Sequence, residues 1–227
     1  MPDVAQRLAL PRALYTCGIQ RYGFHGLSCE SILRQLQHDS NGVPHRLAIA
    51  HLGNGASITA VRDGVSIDTS MGLTPNGGVI MGTRSGELDP GVLVYLARER
   101  QYDAAMLEDL IDHRSGLLGI SGMSSDMRTL HEAADSNGDA QLAIRMFGQS
   151  VRKQLGAMSV VLDGLDMIVF TGGIGENDAA VRADICGGLA SLGVGSKAAR
   201  DDGPVCQVRV LPSLEDEQIA LHTSALC

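Results

Sequence analysis

Aromatic residues are scarce in this 227-residue chain, where they make up 3% of the sequence and tryptophan is absent. Stacking platforms for nucleic-acid bases are therefore not expected. Basic residues are also few and scattered, with 18 Lys and Arg against 26 Asp and Glu, and the formal net charge is −8. This charge balance argues against nucleic acid and anionic membranes as partners.

Long apolar runs and paired cysteines are missing as well. No stretch approaches the length of a membrane span, and Met1-Pro2-Asp3 does not begin a signal peptide. The cysteine count is odd, and no Cys-x-x-Cys pair occurs among Cys17, Cys29, Cys186, Cys206 and Cys227. This usage predicts reduced thiols in the cytoplasm and argues against a disulfide framework or structural zinc. With 44% hydrophobic residues and 28 glycines, the composition is typical of a soluble α/β enzyme.

A glycine-rich segment, residues 69–91, is the part of the chain around which the rest is organised. It holds six glycines, two prolines and five hydroxyl side chains, a composition that exposes backbone N–H groups rather than building a core. Arg84 stands within it and carries a planar guanidinium suited to carboxylate or phosphate. Asp89 and Pro90 predict the N-cap and first residue of a helix. Taken alone, a glycine-rich turn with a solvated arginine is the simpler interpretation.

Three strands are predicted just before this segment. Residues 47–51 form an apolar run of the buried type, and residues 57–62 and 65–68 are joined through Asp63-Gly64, a strong hairpin signal. A Gly-Asn-Gly turn, residues 53–55, follows the first strand. It is compatible with an ordinary hairpin, and equally with a cradle of N–H groups for a phosphate beside His51.

A second glycine loop lies near the other end of the chain. Residues 167–170 predict a short apolar strand, followed by the loop 171–177 and a helix from Asp178. A strand that leads through glycines into a helix N-terminus is a ready anion site. The loop is not a P-loop, because it lacks Gly-Lys-Ser/Thr, and Asp178 stands where a dinucleotide fingerprint needs its third glycine.

Helices are predicted over residues 27–37, 90–100 and 139–165, after Asp103, and after Asp126. Ser28 is the expected N-cap of the first helix, and the Ser-Ser-Asp before Met127 is most simply a cap as well. A histidine such as His25, just ahead of the first helix, is more often a packed residue than a catalyst.

Further details of these elements follow from the apolar spacing. On the second helix, Leu93, Leu96 and Ala97 are expected to face inward, and residues 115–122 are expected to interrupt the helices. The longest helix has a core stripe of Leu142, Met146, Val151, Leu155, Met158, Leu162 and Leu165. Residues 205–211 predict the last strand, and a short helix with three acids in its first turn, Glu215, Asp216 and Glu217, is most simply a dipole-compensated surface.

Six motifs together carry a resemblance to a known family. In chain order they are RYGFHG, AHLGNGAS, TSMGLTP, MGTRSGELDPG, SGLLGISG with a following SSD and arginine, and FTGGIGEN. In their order and distances they resemble the acetate kinase family, whose nearest relatives are the propionate kinases. The resemblance covers essentially the whole chain. It implies an α/β fold, an actin-like (ribonuclease H-like) ATPase lobe with a mixed sheet flanked by helices.

The resemblance also implies roles for individual residues. Arg84 and His51 match groups that stabilise and hydrogen-bond the phosphoryl group in transit, and His25 matches a histidine beside the acetyl phosphate site. Pro75 matches a residue of the pocket for the acyl methyl group, and Glu215 matches a magnesium-linked glutamate. The implied nucleotide-binding residues are Gly53, Asn54, Gly55, Asp126, Met127, Arg128, Gly173, Ile174, Gly175 and Asn177.

The implied partners are ATP or ADP and acetate, with Mg²⁺ or Mn²⁺ as cofactor, in a homodimer formed through this lobe. Members of the family are longer and begin with another actin-like half, so the resemblance predicts that this chain is a C-terminal lobe. Residues 1–20 are then a remnant of the interdomain segment, residues 21–216 the lobe, and residues 217–227 a helix that packs on the other half. The chain departs from the family at Cys29, Glu87 and Leu221, where His, Asp and Arg are usual.

Four functional hypotheses follow. The first is an ATP-dependent acetate kinase, acting as part of a longer enzyme, and the second is a nucleotide-binding and self-associating module without turnover. A propionate kinase is the third. A sugar-kinase-type lobe with another acceptor is the fourth.

Overall fold

A mixed β-sheet runs through the computed structural model, which describes residues 1–194 and 205–226. Its strands are β1 (Arg46–Leu52), β2 (Ala56–Arg62), β3 (Val65–Thr69), β4 (Met167–Thr171) and β5 (Gln207–Val210), in the order β3-β2-β1-β4-β5. The first three strands are antiparallel to one another, whereas β4 is parallel to β1 and β5 is parallel to β4. The predicted arrangement of an antiparallel start and a parallel continuation is confirmed.

The hairpin between β2 and β3 has the turn that its sequence predicts. Asp63 and Gly64 both have positive φ angles, 51° and 76°. Two consecutive left-handed residues match the right-handed twist of the flanking strands, which is why Asp-Gly is favoured there. This hairpin leads directly into the glycine-rich segment.

Helices surround the sheet. In chain order they are α1 (Asp3–Gln6), α2 (Arg12–Thr16), α3 (Gly26–Gln37), α4 (Pro90–Glu99), α5 (Ala104–His113), α6 (Gly116–Ser121), α7 (Met127–Ala133), α8 (Gly138–Leu162), α9 (Gly172–Asn177), α10 (Ala179–Gly187) and α11 (Glu215–Ser224), with a short 3-10 turn at Ala190–Leu192. The predicted caps Asp89 and Asp103 accept hydrogen bonds from backbone N–H groups of the first turns of α4 and α5. Asp126 does the same for α7.

The sheet has a hydrophobic layer on each face. Ala48, Ala50 and Leu52 of β1 belong to the larger layer, which includes Phe147 of α8 and Phe170 of β4. Leu47 and Ile49 belong to the smaller layer beneath α3. Because side chains alternate along a strand, His51 lies on the α3 face.

Several predicted details are corrected. The N-cap of α3 is His25, in the left-handed region with φ 58°, whereas Ser28 lies fully buried inside the helix. On α4, Leu93 and Leu96 are half-buried, whereas Ala97 is exposed. Residues 115–122 are not a break: they contain α6, because Leu117 is fully buried in the layer under α8 and this packing outweighs the low helix propensity of glycine.

Two further corrections concern α8 and α9. Leu142 and Met146 are 45% and 38% exposed, and Ala140, Ala143 and Phe147 are buried in their place. Apolar residues spaced three to five apart occur on both sides of α8, so the spacing alone does not decide which side is buried.

The predicted loop after β4 is the short helix α9, which begins directly after Thr171. The last strand is shorter than predicted: it spans Gln207–Val210, so Val205 lies before it and Leu211 lies after it.

The helix α11 packs against α3. The Nε of Arg34 donates to Oε1 of Gln218 at 3.1 Å, and Arg34 forms an ion pair with Glu217 at 2.8 Å. Gln218 is buried, while Ile219 and Leu221 on the same helix are exposed. The proposed division at residues 20 and 217 stays a prediction.

Across residues 1–194 and 205–226, no helix combines the length and the apolarity that crossing a bilayer requires. Cys17, Cys29, Cys186 and Cys206 are free thiols. Cys227 lies outside the described residues.

Candidate functional site

Two glycine turns, residues 53–55 after β1 and residues 172–175 at the start of α9, meet at the carboxyl ends of β1 and β4. Because β1 and β4 are parallel, their carboxyl ends lie side by side, with His51 in register with Thr171. A Cβ placed on Gly53 would lie 3.8 Å from the backbone N of Gly173, and one on Gly172 would lie 2.8 Å from the carbonyl O of Leu52. Gly172 also has φ 78°, so both its conformation and the closeness of β1 require glycine.

Two histidines stack beside the first turn. The ring centroids of His25 and His51 are 4.0 Å apart, and their planes are inclined by 16°. Nδ1 of His51 is 2.8 Å from Oγ of Ser28, and Nδ1 of His25 is 2.9 Å from Oγ of Ser57. The sequence predicts neither serine as a site residue: Ser28 is the expected N-cap of α3, and Ser57 ends the AHLGNGAS motif without an implied role of its own. Their contacts follow only from the docking of α3 on the sheet.

Burial keeps both imidazoles neutral near pH 7. It lowers the pKa of His51 from 6.5 to about 4. The pKa of His25 is lowered to about 4 as well, mainly by burial and further by the neighbouring His51 and by the positive charge of Arg84, against an opposing effect of Glu215. The pair therefore offers neutral ring nitrogens rather than imidazolium charges.

Arg84 reaches this pair from the glycine-rich segment. Its Nη1 donates to the carbonyl O of Pro75 at 3.1 Å, and the side chain is only partly buried. A Cβ placed on Gly55 would lie 3.3 Å from Nη1 of Arg84 and 3.4 Å from Nε2 of His25. The segment is anchored to the turn by a hydrogen bond from Gly82 N to Asn54 O at 3.1 Å. The structure thus brings together the guanidinium, the imidazoles and the first glycine turn.

Glu215 approaches from the start of α11, within electrostatic reach of His25. The segment before it is tied to the second glycine turn by Glu176, which sequence reasoning missed: one carboxylate oxygen, Oε1, accepts from Gly172 N at 2.9 Å and from Ser213 N at 3.1 Å. A charged acceptor shared by two backbone amides fixes the spacing of their segments. No sequence pattern links residues that lie 37 positions apart.

The remaining predicted residues have more ordinary environments. Asp126 caps α7 and is exposed, Met127 is buried in the larger hydrophobic layer, and Arg128 is exposed. The structure connects α7 to the second turn indirectly, through a hydrogen bond of 2.8 Å between Nε2 of His131 and the α10 cap Asp178.

The second turn itself is ordered by its own contacts. The side-chain amide of Asn177 donates to Gly173 O at 2.9 Å, and Ile174 packs partly buried against the core. Gly175 is buried, whereas Gly173 is exposed, and a Cβ placed there would meet nothing within 4 Å. Its surroundings are therefore open.

Glu215 is the side chain that the resemblance offers for holding a divalent cation at this site. In the part of the chain that the structure describes, no group of three His, Cys, Asp or Glu side chains could hold a metal ion. Mg²⁺ bound through substrate phosphates needs only one or two carboxylates from the protein, and Glu215 is such a carboxylate.

Comparison with known proteins identifies the family. The model of the acetokinase family matches residues 1–222. The chain belongs to this family. It is 46% identical to the acetate kinase of Methylocella silvestris over 99% of its own length and 43% identical to that of Brachyspira hyodysenteriae over 98%. It spans 58% and 60% of the length of these two relatives.

Solved structures of acetokinases agree with the fold. The acetate kinase of Porphyromonas gingivalis is 37% identical with a TM-score of 0.87, over 99% of this chain and 60% of that one. A propionate kinase from Francisella tularensis is 38% identical with a TM-score of 0.88, over 97% of this chain and 60% of that one. The predicted family and the predicted actin-like α/β fold are confirmed.

Proposed function

We propose that this acetokinase chain binds ATP with Mg²⁺ between its two glycine turns and serves phosphoryl transfer from ATP to acetate, a reaction that yields acetyl phosphate and ADP. One observation carries the proposal: the guanidinium of Arg84 and Nε2 of His25 both border Gly55, and Nε2 of His51 borders Gly53 beside Gly173. These groups are hydrogen-bond donors suited to the oxygens of a transferring phosphoryl group.

Each group has a distinct task in this proposal. Phosphoryl transfer needs little covalent help from a protein, so positioning and charge stabilisation dominate. Arg84 neutralises the negative charge on the phosphoryl oxygens. The imidazoles, which are largely shielded from water, donate hydrogen bonds to the same oxygens. Glu215 would hold Mg²⁺, which when bound neutralises charge on the phosphates. Pro75, whose carbonyl accepts from Arg84, belongs to the wall nearest the acyl group.

Nucleotide binding is tested by calorimetry with Mg²⁺ and ATP. Gly173→Asp places a carboxylate in open space beside the phosphates without a steric clash, so we expect it to abolish binding through charge repulsion. Gly187→Asp, at the exposed end of α10, adds the same side chain where a Cβ also meets nothing within 4 Å and is the matched control. Equal ATP affinity in both variants would show that the second turn has no part in binding.

Turnover separates the acetate kinase from a nucleotide-binding module without catalysis. Two facts favour the module for the 227-residue chain by itself: it spans 58% of the length of the Methylocella relative, and Arg84 is partly exposed to solvent, which screens its charge. A coupled assay with acetate, ATP and Mg²⁺ compares the chain with Arg84→Ala. A rate well above that variant assigns catalysis to this chain, and equal rates together with measured ATP binding assign it the binding role alone.

Acetate and propionate are compared in the same assay if turnover occurs. Propionate is the second candidate acceptor, because the chain is similar to a propionate kinase. One methylene group in an apolar pocket changes kcat/KM by roughly 10- to 200-fold, so the preferred acid is readily measured.

We also propose that the chain forms a homodimer in the cytoplasm. The support for self-association is that α4 and α5 bury none of their residues within this chain, while Val94 and Tyr95 are 56% and 54% exposed. Met106 of α5 is 41% exposed as well, and exposed apolar side chains on such helices are typical of an interface. The free thiols support a reducing compartment.

A further inference from the structure

Each of the two serines contacts the histidine that is farther from it along the chain or in the strand pairing. Ser28 lies three residues after His25, yet its hydroxyl contacts His51. Ser57 is the register partner of His51 across the β1–β2 ladder, yet its hydroxyl contacts His25. Both hydroxyls are fully buried, so water does not replace either contact.

The hydroxyl hydrogens decide which ring nitrogen is protonated. A serine hydroxyl has one hydrogen to donate, and the hydrogen-bond partner that the structure gives each of these serines is an Nδ1 atom. If Nδ1 carried the ring proton, it would donate to the serine, and the buried O–H would have no acceptor among these contacts. Buried donors without acceptors are costly. Donation from each serine to Nδ1, with the proton of each neutral ring on Nε2, gives both hydroxyl hydrogens an acceptor.

The protonated nitrogens are the ones that face the site. Nε2 of His25 borders Gly55 and Nε2 of His51 borders Gly53, at the turn that Arg84 also reaches. In the opposite tautomer, two lone pairs would face the oxygens of a phosphate. The lowered pKa of both rings agrees with a neutral pair.

We infer that Ser28 and Ser57 are positioning residues, which hold His51 and His25 in the tautomer with the proton on Nε2 and so present two neutral N–H donors to the terminal phosphoryl group. The identity of the anion rests on the proposed function. The tautomers do not, because they follow from contacts within the chain.

The test is nitrogen NMR of the chain labelled with ¹⁵N-histidine, with His25→Asn and His51→Asn to assign the two rings among the seven histidines. We expect both rings to be protonated at Nε2, with Nδ1 resonances shifted by hydrogen bonding. Ser28→Ala should move the Nδ1 resonance of His51 to that of an unbonded nitrogen, and Ser57→Ala should do so for His25. Rings protonated at Nδ1, or Nδ1 resonances that neither variant moves, would overturn the inference.

Calorimetry separates positioning from a structural effect. The donors face the terminal phosphoryl group, so Ser28→Ala and Ser57→Ala should weaken the binding of Mg²⁺ and ATP about three- to tenfold while leaving ADP affinity unchanged. Ser31→Ala is the control on α3, because Ser31 is also fully buried and its hydrogen-bond partner is Gln35 rather than either histidine. Equal losses for ATP and ADP would contradict the positioning role. If neither nucleotide binds to the parent chain, the proposed function fails, and the NMR result still decides the tautomers.

Discussion

The stacked imidazoles connect the stability of the chain to pH. Folding lowers the pKa of His25 and His51 from 6.5 to about 4, so the unfolded chain binds more protons between these values. Their contribution to the free energy of unfolding is complete above pH 6.5 and is lost as the pH falls to about 4. We expect the melting temperature to fall across this window.

Thermal unfolding at a series of pH values checks this expectation. His25→Asn and His51→Asn should each flatten the dependence, and asparagine also tolerates the left-handed backbone at residue 25. The exposed His113→Asn is the control and should leave the slope as it is. A parent chain with no loss of melting temperature down to about pH 4 would contradict the burial of the pair.

Two neighbouring glycines of α9 should respond differently to alanine. At Gly172 the backbone has φ 78° and a Cβ would lie 2.8 Å from Leu52 O, so Gly172→Ala combines strain with a backbone clash. We expect it to lower the free energy of unfolding by about 2 kcal/mol or more. Gly173→Ala, which meets open space, should change it little. Urea unfolding of both variants measures the difference, and equal values would refute the close approach of β1 and α9.

At the scale of elements, Glu176 couples α9 to the segment that begins α11. Glu176→Ala leaves the Gly172 and Ser213 amides without this acceptor, so we expect a loss of about 1–3 kcal/mol and faster hydrogen exchange at the Ser213 amide. Glu176→Gln keeps a side-chain carbonyl acceptor and should be milder. Unchanged exchange at Ser213 in both variants would show that other contacts fix the segment.

Local signals predicted the elements that depend on local chemistry. The Asp63-Gly64 hairpin and the caps Asp89, Asp103 and Asp126 were all correctly predicted, because the hydrogen bonds and dihedral preferences involved lie within a few residues. The joint order of the motifs then predicted the family, which no single motif does.

The errors arose where packing overrides local preference. Glycines in α6 and α9 suggested loops, yet α6 is held by the burial of Leu117, and α9 by the hydrogen bond of its first amide to Glu176. The Ser28–His51 contact joins residues 23 positions apart and depends on how α3 lies on the sheet. Periodicity in one segment does not contain that information, so the positions of the candidate site residues relative to one another required the structure.

At the scale of the whole molecule, the apolar surface of α4 and α5 is the candidate dimer interface. Val94→Glu places a charge on it and should abolish the proposed dimer, because a charge buried at an interface is strongly disfavoured. Val160→Glu, on a valine of α8 that is 81% exposed, is the matched control and should leave the association unchanged. Light scattering after size exclusion gives both masses, and a parent chain that is already monomeric would remove the proposal.

The place of β1 between β2 and β4 has a consequence for the order of folding. β1 reaches β2 through a short turn, but its pairing with β4 spans a long stretch: Arg46 N donates to a carboxylate oxygen of Asp166, 120 residues away. Short loops close sooner than long ones, so we expect pulsed hydrogen exchange to protect the β1–β2 amides before those of β4. Simultaneous protection would contradict this order. The nascent chain would then carry the first glycine turn next to a β1 edge whose unpaired N–H and C=O groups are open to other strands, until β4 docks against it.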